Sequence, residues 1–494
     1  MDELLLAATA ETCRPYPRRV LEPEAWSHLL TLEPATELLA MWADTIAVHA
    51  LLRSGTQIRP VSVLTRAGRY PALSPHRPAA AWFERAIADL WGHRADGASD
   101  ERPWLDHGRW THAAPLSPKP VPRAGMAEPP HFLAVGSDDL HQHPLGPIHG
   151  TFAEPAHYRV HACGEHVVSL ELRLGYAHKG TLGLMRGKSP RAAARFACRL
   201  SGDSAVAHAI AFARAAEAAT GTDAPPRAHA LRGVMAEIER IANHLGDIGA
   251  IAGAAAFPLI TSRTAVHRET LLRAAEVAFG HRLMMDAVIP GGVAADIAAE
   301  GAQTIRVAIE AVAEASAPLA RLYDESGSLA ERTVGTGRTP PELVARFAAG
   351  GIVGRAAGRA LDVRTLLGSP PYDGLAFKIP VLTAGDVDAR VQLRFAEIGS
   401  SIEVLRRWLG ALPDGAVSVP LPMASGEGIG WAEGFRGDIW HWLRLDGGQI
   451  GSVFPRDPSW LQWPLLEAAM RDAEVTDLPL IAASFNASVS GVDL

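Results

Sequence analysis

The stretch Arg199-Leu200-Ser201-Gly202-Asp203-Ser204-Ala205-Val206-Ala207-His208 decides the fold of this 494-residue chain. It lies within the first of two long Ala-rich patterns. From Ser189 to Gly221, and again from Arg227 to Ala255, apolar residues recur at i, i+3, i+4 and i+7 with charges opposite, the period of a helical hairpin or bundle. Pro190 suits a first helical turn and Gly221 a C-terminal cap. Ser201, Asp203 and Ser204 stand just before the apolar run Ala205 to Ala213, and all are good N-cap types. A second polar cluster lies at the other end of the chain, Ser484-Phe485-Asn486-Ala487-Ser488-Val489-Ser490-Gly491-Val492-Asp493-Leu494.

With 48% hydrophobic and 20% charged residues, the chain can bury the cores of about two or three domains. Net charge is -7 and the basic residues are spread along the chain with no run, so nucleic acid has no electrostatic footprint. Cys13, Cys163 and Cys198 are an odd set with no close pair. That excludes a disulfide framework, a zinc site and an iron-sulfur site, and Cys198 reads as a buried structural thiol. Met1-Asp2-Glu3 lacks the basic start of a secretory signal, and Ile248 to Ser262 is too short and too rich in Gly, Ala and Pro to span a bilayer. The expectation is a protein soluble by itself, reaching a membrane only through partners.

Residues 1–110 form the expected small α+β domain. In Ala80 to Trp91 the apolar Trp82, Phe83, Ile87, Leu90 and Trp91 recur at helical spacing with Glu84, Arg85 and Asp89 between them. Residues 111–147, rich in Pro and His, read as a surface linker. His131, His141 and His143 match no standard ligand spacing and are taken as loop histidines. The second domain, 148–494, opens with two strands, roughly His157 to His161 and His166 to Leu172, around the turn Cys163-Gly164-Glu165. Further helices run from Arg263 to His281, to about Tyr323 after the loop Pro290-Gly291-Gly292-Val293, and from Asp388. Glu239 and Asn243, like Arg240 and His244, lie one turn apart and suit a network between packed helices. Gly426-Glu427-Gly428-Ile429-Gly430-Trp431 lacks the leading strand and following helix of a nucleotide loop. Strands follow at Ile439 to Leu445 and Gln449 to Pro455.

The two polar clusters resemble the ligand motifs of the large subunit of NiFe hydrogenases, Cys-Gly-x-Cys and Asp-Pro-Cys-x-x-Cys, with every cysteine replaced. Ser201 and Ser204 stand at the first pair, Ser488 and Gly491 at the second. Between them, Glu237-Ile238-Glu239-Arg240-Ile241-Ala242-Asn243-His244-Leu245, Gly354-Arg355-Ala356-Ala357-Gly358 and Asp362-Val363-Arg364 are similar to motifs shared with the quinone-site large subunit of respiratory complex I. Trp82 to Gly92, with Arg102-Pro103-Trp104-Leu105, resembles the small peripheral-arm subunit of complex I. Fusion of the two is the arrangement of formate-hydrogenlyase-type, energy-converting hydrogenases. The implied fold is α+β: a NiFe-hydrogenase-like large subunit with a central helical bundle and small flanking sheets, preceded by a small α+β domain.

Serine hydroxyls are poor soft-metal ligands, so no NiFe centre and no cofactor bound by this chain are expected. By the resemblance, Glu154 stands at the place of a proton-transferring glutamate; it either relays protons or pins the first strand. Arg436 matches the arginine that overhangs the iron, with Phe435 filling room before it. The complex I pocket's histidine and tyrosine fall at Ala153 and Gly202, while His149 keeps an earlier histidine. The resulting candidates are Glu154, Asp203 and Arg436 as catalytic groups, and His149, Ser201, Ser204, His208, Ser488 and Asp493 as the pocket. Asp203 is either a proton carrier paired with Arg436 or a helix cap. The implied function is that of a subunit in a complex I-like or energy-converting-hydrogenase-related oxidoreductase, passing electrons to a quinone or another acceptor with ion translocation. The alternative is a catalytically silent scaffold or coupling subunit of the same assembly. The implied partners are an iron-sulfur small subunit, which would carry the cluster, and antiporter-like and anchor subunits in the membrane. The implied location is the cytoplasmic side of the cell membrane.

Overall fold

The computed structural model describes residues 8–32, 36–123, 125, 132–133, 139–150, 152–375 and 377–494. Met1 to Glu3 and His131 lie outside them. The N-terminal part is a five-stranded sheet of β1 (Thr9–Glu11), β3 (Arg18–Leu21), β4 (Glu37–Ala43), β5 (Ala47–Ser54) and β6 (Gln57–Leu64), in the order β1-β3-β6-β5-β4. Helix α1 (Pro23–Leu32) and the amphipathic α2 (Ala80–Trp91) accompany it, and α2 buries Phe83, Ile87, Leu90 and Trp91. One short strand, β2 (Cys13–Arg14), leaves this sheet and pairs in parallel with a strand of the C-terminal part.

Residues 141–145 depart from a plain linker: β7 (His141–Leu145) pairs antiparallel with β8 (His157–Cys163), which pairs with β9 (His166–Arg173). Backbone pairing needs no hydropathy alternation, so the Pro- and His-rich composition hid this edge strand. After β9 come α3 (Pro190–Ala197) and the buried α4 (Ala205–Thr220), then α5 (Pro226–Ala254), α6 (Pro258–Phe279), α7 (Ala299–Asp324) and α8 (Val387–Gly410). The last four pack in a ring, α5 on α6, α6 on α7, α7 on α8 and α8 on α5, which is the expected helical bundle.

The chain returns through β10 (Gly426–Gly434), β11 (Gly437–Asp446) and β12 (Gln449–Arg456), sheet order β12-β11-β10-β2, and ends in α9 (Ser459–Ala469), α10 (Leu478–Phe485) and α11 (Ser490–Asp493). The glycine-rich 426–431 is thus itself a strand. Its glycines serve packing: a Cβ on Gly426, Gly428 or Gly430 would lie 2.4, 2.0 or 2.2 Å from the carbonyl oxygens of Ala219, Ala215 and Ala211. Strand residues two apart share a face, as do helix residues four apart, and the two repeats are similar in length. Strand and helix therefore lie in register, running in opposite directions.

The N-terminal and C-terminal parts are tied by charge and by aromatic stacking. Arg18 donates through Nε and Nη2 to both carboxylate oxygens of Glu427, at 2.9 and 2.8 Å, and Arg444 pairs with Asp44 at 2.7 Å. Phe83 stacks on Trp460 at 4.6 Å between ring centroids, and Trp42 on Phe454 at 5.9 Å.

Candidate functional site

The antiparallel seating of β10 on α4 sets the site. It carries the end of the strand, and Arg436 just beyond it, to the start of the helix, where Ser201 to Ser204 lie. Gly202 leaves open space around its Cα, so the Ser201–Ser204 turn meets solvent on one side and Arg436 on the other.

Arg436 donates from Nη1 to Asp203 Oδ1 at 2.7 Å and to Ser204 Oγ at 3.0 Å, and from Nη2 to Asp203 Oδ2. Its Nε donates to the carbonyl oxygen of Asn486, which sits left-handed at φ 44° and caps α10. Ser201 Oγ lies 2.9 Å from both Asp203 Oδ1 and Ser488 Oγ. Ser488 Oγ reaches Glu154 Oε2 at 3.2 Å, and Glu154 accepts from the N–H groups of Val489 at 2.5 Å and Ser490 at 3.3 Å and from the Ser490 hydroxyl. One polar chain thus runs Glu154, Ser488, Ser201, Asp203, Arg436, Asn486, and both ends of it hold the C-terminal segment.

Of the two roles left open for Asp203, the cap is not the one adopted. Ser204 is the N-cap residue of α4 and makes no side-chain cap bond. The first helical N–H groups, Val206 and Ala207, donate instead to Glu239 at 2.6 and 3.0 Å. Freed from capping, Asp203 faces Arg436. Burial would raise its carboxyl, but the guanidinium outweighs this and holds it below the ordinary range. Glu154 is not on a strand; it takes up the free N–H groups at the start of α11, and burial pushes its carboxyl up. Burial likewise raises Glu239 to about 8 despite its two backbone donors.

His208 is fully buried, off the polar chain. Its Nε2 lies 3.0 Å from Asp457 Oδ2 and its Nδ1 3.0 Å from His441 Nε2. Asp457 occupies the space beside Gly491: a Cβ there would lie 2.7 Å from its Cγ and 2.9 Å from its Oδ2. Burial opposes the Asp457 charge, but His208 and Arg436 hold the carboxyl down to about 2. Asp493 sits apart, accepting from the N–H groups of Gly175 and Ala177 at 2.8 Å each, and burial raises it to about 7. His149 is on an exposed loop, 5.6 Å ring to ring from Phe152, and is not brought to the cluster. Phe435 is buried beneath Arg436, 4.5 Å from guanidinium carbon to ring centre.

Sequence reading missed Asp457, His441 and Asn486, and gave Glu239 only a general packing role. The one available signal was Glu239 on the helix facing the uncapped start of α4. The donor set does not fit a thiolate-held metal. The hydroxyls of Ser201 and Ser488 bond to each other, and no side chain enters at 491 without moving Asp457. Among the described residues no three His, Cys, Asp or Glu side chains converge as metal ligands. The arrangement can hold protons on Glu154 and bind Asp203 to Arg436. A small cleft lined by Gly202, Asp203, Asn243 and Arg268 opens on it, and about a third of the Asp203 side chain, 33%, is exposed.

Comparison with known proteins gives two family matches. Residues 253–425 match the 49 kDa subunit of respiratory-chain NADH dehydrogenase, and residues 15–122 match its 30 kDa subunit. Formate hydrogenlyase subunit 5 of Escherichia coli (strain K12) is 28% identical over 436 residues, covering 86% of this chain and 77% of that protein. The carbon monoxide-induced hydrogenase of Rhodospirillum rubrum is 29% identical, over 70% of this chain and 97% of its own. NADH-quinone oxidoreductase subunit 4 of Thermus thermophilus is 27% identical, over 71% and 93%. Among solved structures, a chain of the membrane-bound sulfane sulfur reductase, an archaeal respiratory membrane complex, shares the fold with a TM-score of 0.69. It is 23% identical over 73% of this chain and 100% of that one.

Proposed function

Because this chain belongs to the family that joins a 30 kDa-type and a 49 kDa-type domain of respiratory-chain NADH dehydrogenase, on the branch of the NiFe hydrogenase large subunits, we propose that it is the large-subunit module of a membrane-associated, complex I-like assembly. In that assembly it acts as a scaffold and coupling element. Relatives named as parts of formate hydrogenlyase and of membrane-bound hydrogenase support the assembly. No described helix is long and apolar enough to cross a membrane, so attachment would run through partner subunits. Those partners are a small subunit of the iron-sulfur type, without its cluster in the coupling role, and antiporter-like and anchor subunits, on the cytoplasmic side of the membrane.

One observation carries the coupling role. The polar groups where a metal would be held are paired with one another, from Glu154 through Ser488 and Ser201 to Asp203 and Arg436. An ion pair with its arginine buried and its carboxylate part-exposed adds little net stability, yet removal of Asp203 leaves the buried Arg436 charge uncompensated, at a cost below the roughly 3–5 kcal/mol of a fully buried pair. Such a site specifies one arrangement of the segments it joins. No NiFe centre is assigned to the chain.

A second reading keeps a redox role: the pocket takes a quinone or another acceptor, with Glu154 and Asp203 handling its protons. The exposed part of Asp203 beside the open space at Gly202 favours it. The deciding experiment is to purify the native complex through a tag on this chain, identify its partners by mass spectrometry, and quantify nickel and iron in the same sample. Membrane partners without either metal are the expected result of the coupling role. Iron without nickel, beside a cluster-bearing small subunit, would move the assignment to the redox role. Stoichiometric nickel would overturn both.

A further inference from the structure

The chain is acidic overall, but the acid is not evenly distributed. Residues 172–202 contain seven basic residues, Arg173, Lys179, Arg186, Lys188, Arg191, Arg195 and Arg199, and not one Asp or Glu. Arg173 is buried and Arg186 is engaged with the Leu116 carbonyl. The others form a surface strip along α3 and its flanks that ends two residues before Ser201. Lys179 Nζ donates to the carbonyl oxygens of Arg199 and Leu200 at 2.9 and 2.8 Å, which fixes it at the end of the strip. Arg191 and Arg195 are exposed one turn apart, and Lys188 lies 5.7 Å over the Phe196 ring. Arg199 pairs with Asp286.

Helix stability does not account for the strip. Arg195 and Arg199 near the end of α3 are favoured by the helix dipole, but Arg191 is the second residue of the helix, where a cation is disfavoured. Like charges at i and i+4 are destabilising in addition, by the same measure as opposite charges gain. Among the described residues no ion pair or hydrogen bond of the Arg191 side chain offsets this.

We infer that this strip is the docking surface for an acidic face of a partner subunit, an inference that rests on the chain being a subunit of a larger assembly. Charge complementarity supplies the occupant: concentrated positive charge on an otherwise acidic chain steers and selects a negatively charged surface. A lipid surface fits less well. A helix that lies on a membrane offers it an apolar face, whereas Ala193, Ala194 and Ala197 of α3 are buried in the core and Leu184 is the only large apolar side chain exposed in the segment.

The test uses the full-length chain, Arg191→Glu/Arg195→Glu, and a control that reverses two exposed arginines elsewhere, Arg346→Glu/Arg407→Glu. A fluorescein-labelled decaglutamate peptide is titrated at low ionic strength by anisotropy, and vesicles containing phosphatidylglycerol are tested in parallel by co-sedimentation. The wild-type chain binds the peptide, the Arg191/Arg195 variant at least roughly tenfold more weakly, and the control as wild type, all losing affinity with salt. Equal peptide affinity in all three overturns the proposal, as does Arg191/Arg195-dependent binding of the vesicles without the peptide. Tagged native preparations complete it. Wild type should bring down its partner subunits and the Arg191/Arg195 variant should lose at least one. Retention of all of them overturns the proposal, whereas a wild-type chain that purifies alone overturns the subunit reading and leaves the peptide titration to judge the strip.

Discussion

Arg436 and Gly491 are the residues at which this site differs most plainly from a metal centre. Arg436 spends its donors on Asp203, Ser204 and Asn486, all in the same chain. Gly491 has no side chain because Asp457 stands where one would go, and Asp457 is held there by His208 and by the N–H of Ser459 at 2.8 Å. If this contact is what keeps residue 491 small, Gly491→Ala must push Asp457 off His208. We expect a loss of about 1–3 kcal/mol, the usual cost of overfilling a packed site. In a Gly491→Ala/Asp457→Gly chain the added methyl finds room, so the two losses should fall short of additive by about 1 kcal/mol or more. Urea midpoints of the four proteins measure this directly. Strict additivity would mean that Asp457 does not set the size of residue 491.

At the scale of elements, the contact between α4 and β10 decides where the site lies. Gly428→Ala places a methyl 2.0 Å from the Ala215 carbonyl oxygen, with backbone on both sides and no flexible side chain to give way. The expected loss is about 3 kcal/mol or more, at the upper end for overpacked cores, with Arg436 drawn away from Asp203. Gly399→Ala, on an exposed face of α8 with nothing within 4 Å, should be neutral or gain up to about 1 kcal/mol. Comparable thermal midpoints for the two variants would remove the packing role of the strand glycines. The same contact shows what the sequence could and could not reveal. The helices were legible because their apolar residues recur at the helical period. Strand β10 was hidden because glycine carries no hydropathy alternation, and β7 because histidine and proline mask a pairing made by the backbone. Ser201, Asp203, Arg436 and Ser488 could be nominated from motif positions. Asp457 and His441, more than 230 residues from His208 in the chain, could not, since nothing local marks a long-range hydrogen bond. The cap stayed open for Asp203 beside the pairing with Arg436 because capping is decided locally, and only the fold brings Glu239 to the N–H groups first.

The molecule as a whole carries its buried carboxyls in two opposed classes, and that fixes how its stability responds to pH. Burial opposes the charge on Glu237, but Arg364 and Arg240 outweigh it and hold the carboxyl down to about 2; Asp457 behaves alike. Groups of this class stabilise the fold above the ordinary carboxylate range and lose that effect only in strong acid. Glu239 is raised by burial to about 8, Glu467 and Asp493 to about 7, and Glu433 is raised as well. In this class the folded state keeps a proton that the unfolded chain releases. Its stabilising effect is complete below about pH 4.5 and is lost as pH rises through the folded values. Histidines act the other way: His229 is lowered by burial to about 4 and His441 well below its usual value, so they destabilise only where the unfolded imidazole is charged. Above about pH 6.5 the histidine effect is spent while the raised carboxyls are still titrating. The isolated chain should therefore lose stability steadily from pH 6.5 to 8, by up to about 1.4 kcal/mol per pH unit for each fully linked group. In Glu239→Gln, whose amide oxygen can still accept from Val206 or Ala207, the slope over that window should be shallower by about one group's share. Thermal unfolding of both proteins at half-unit intervals measures it. A wild-type midpoint that stays level or rises toward pH 8 would show that Glu239 is ionised in the fold, and that its charge, rather than its proton, closes the start of α4.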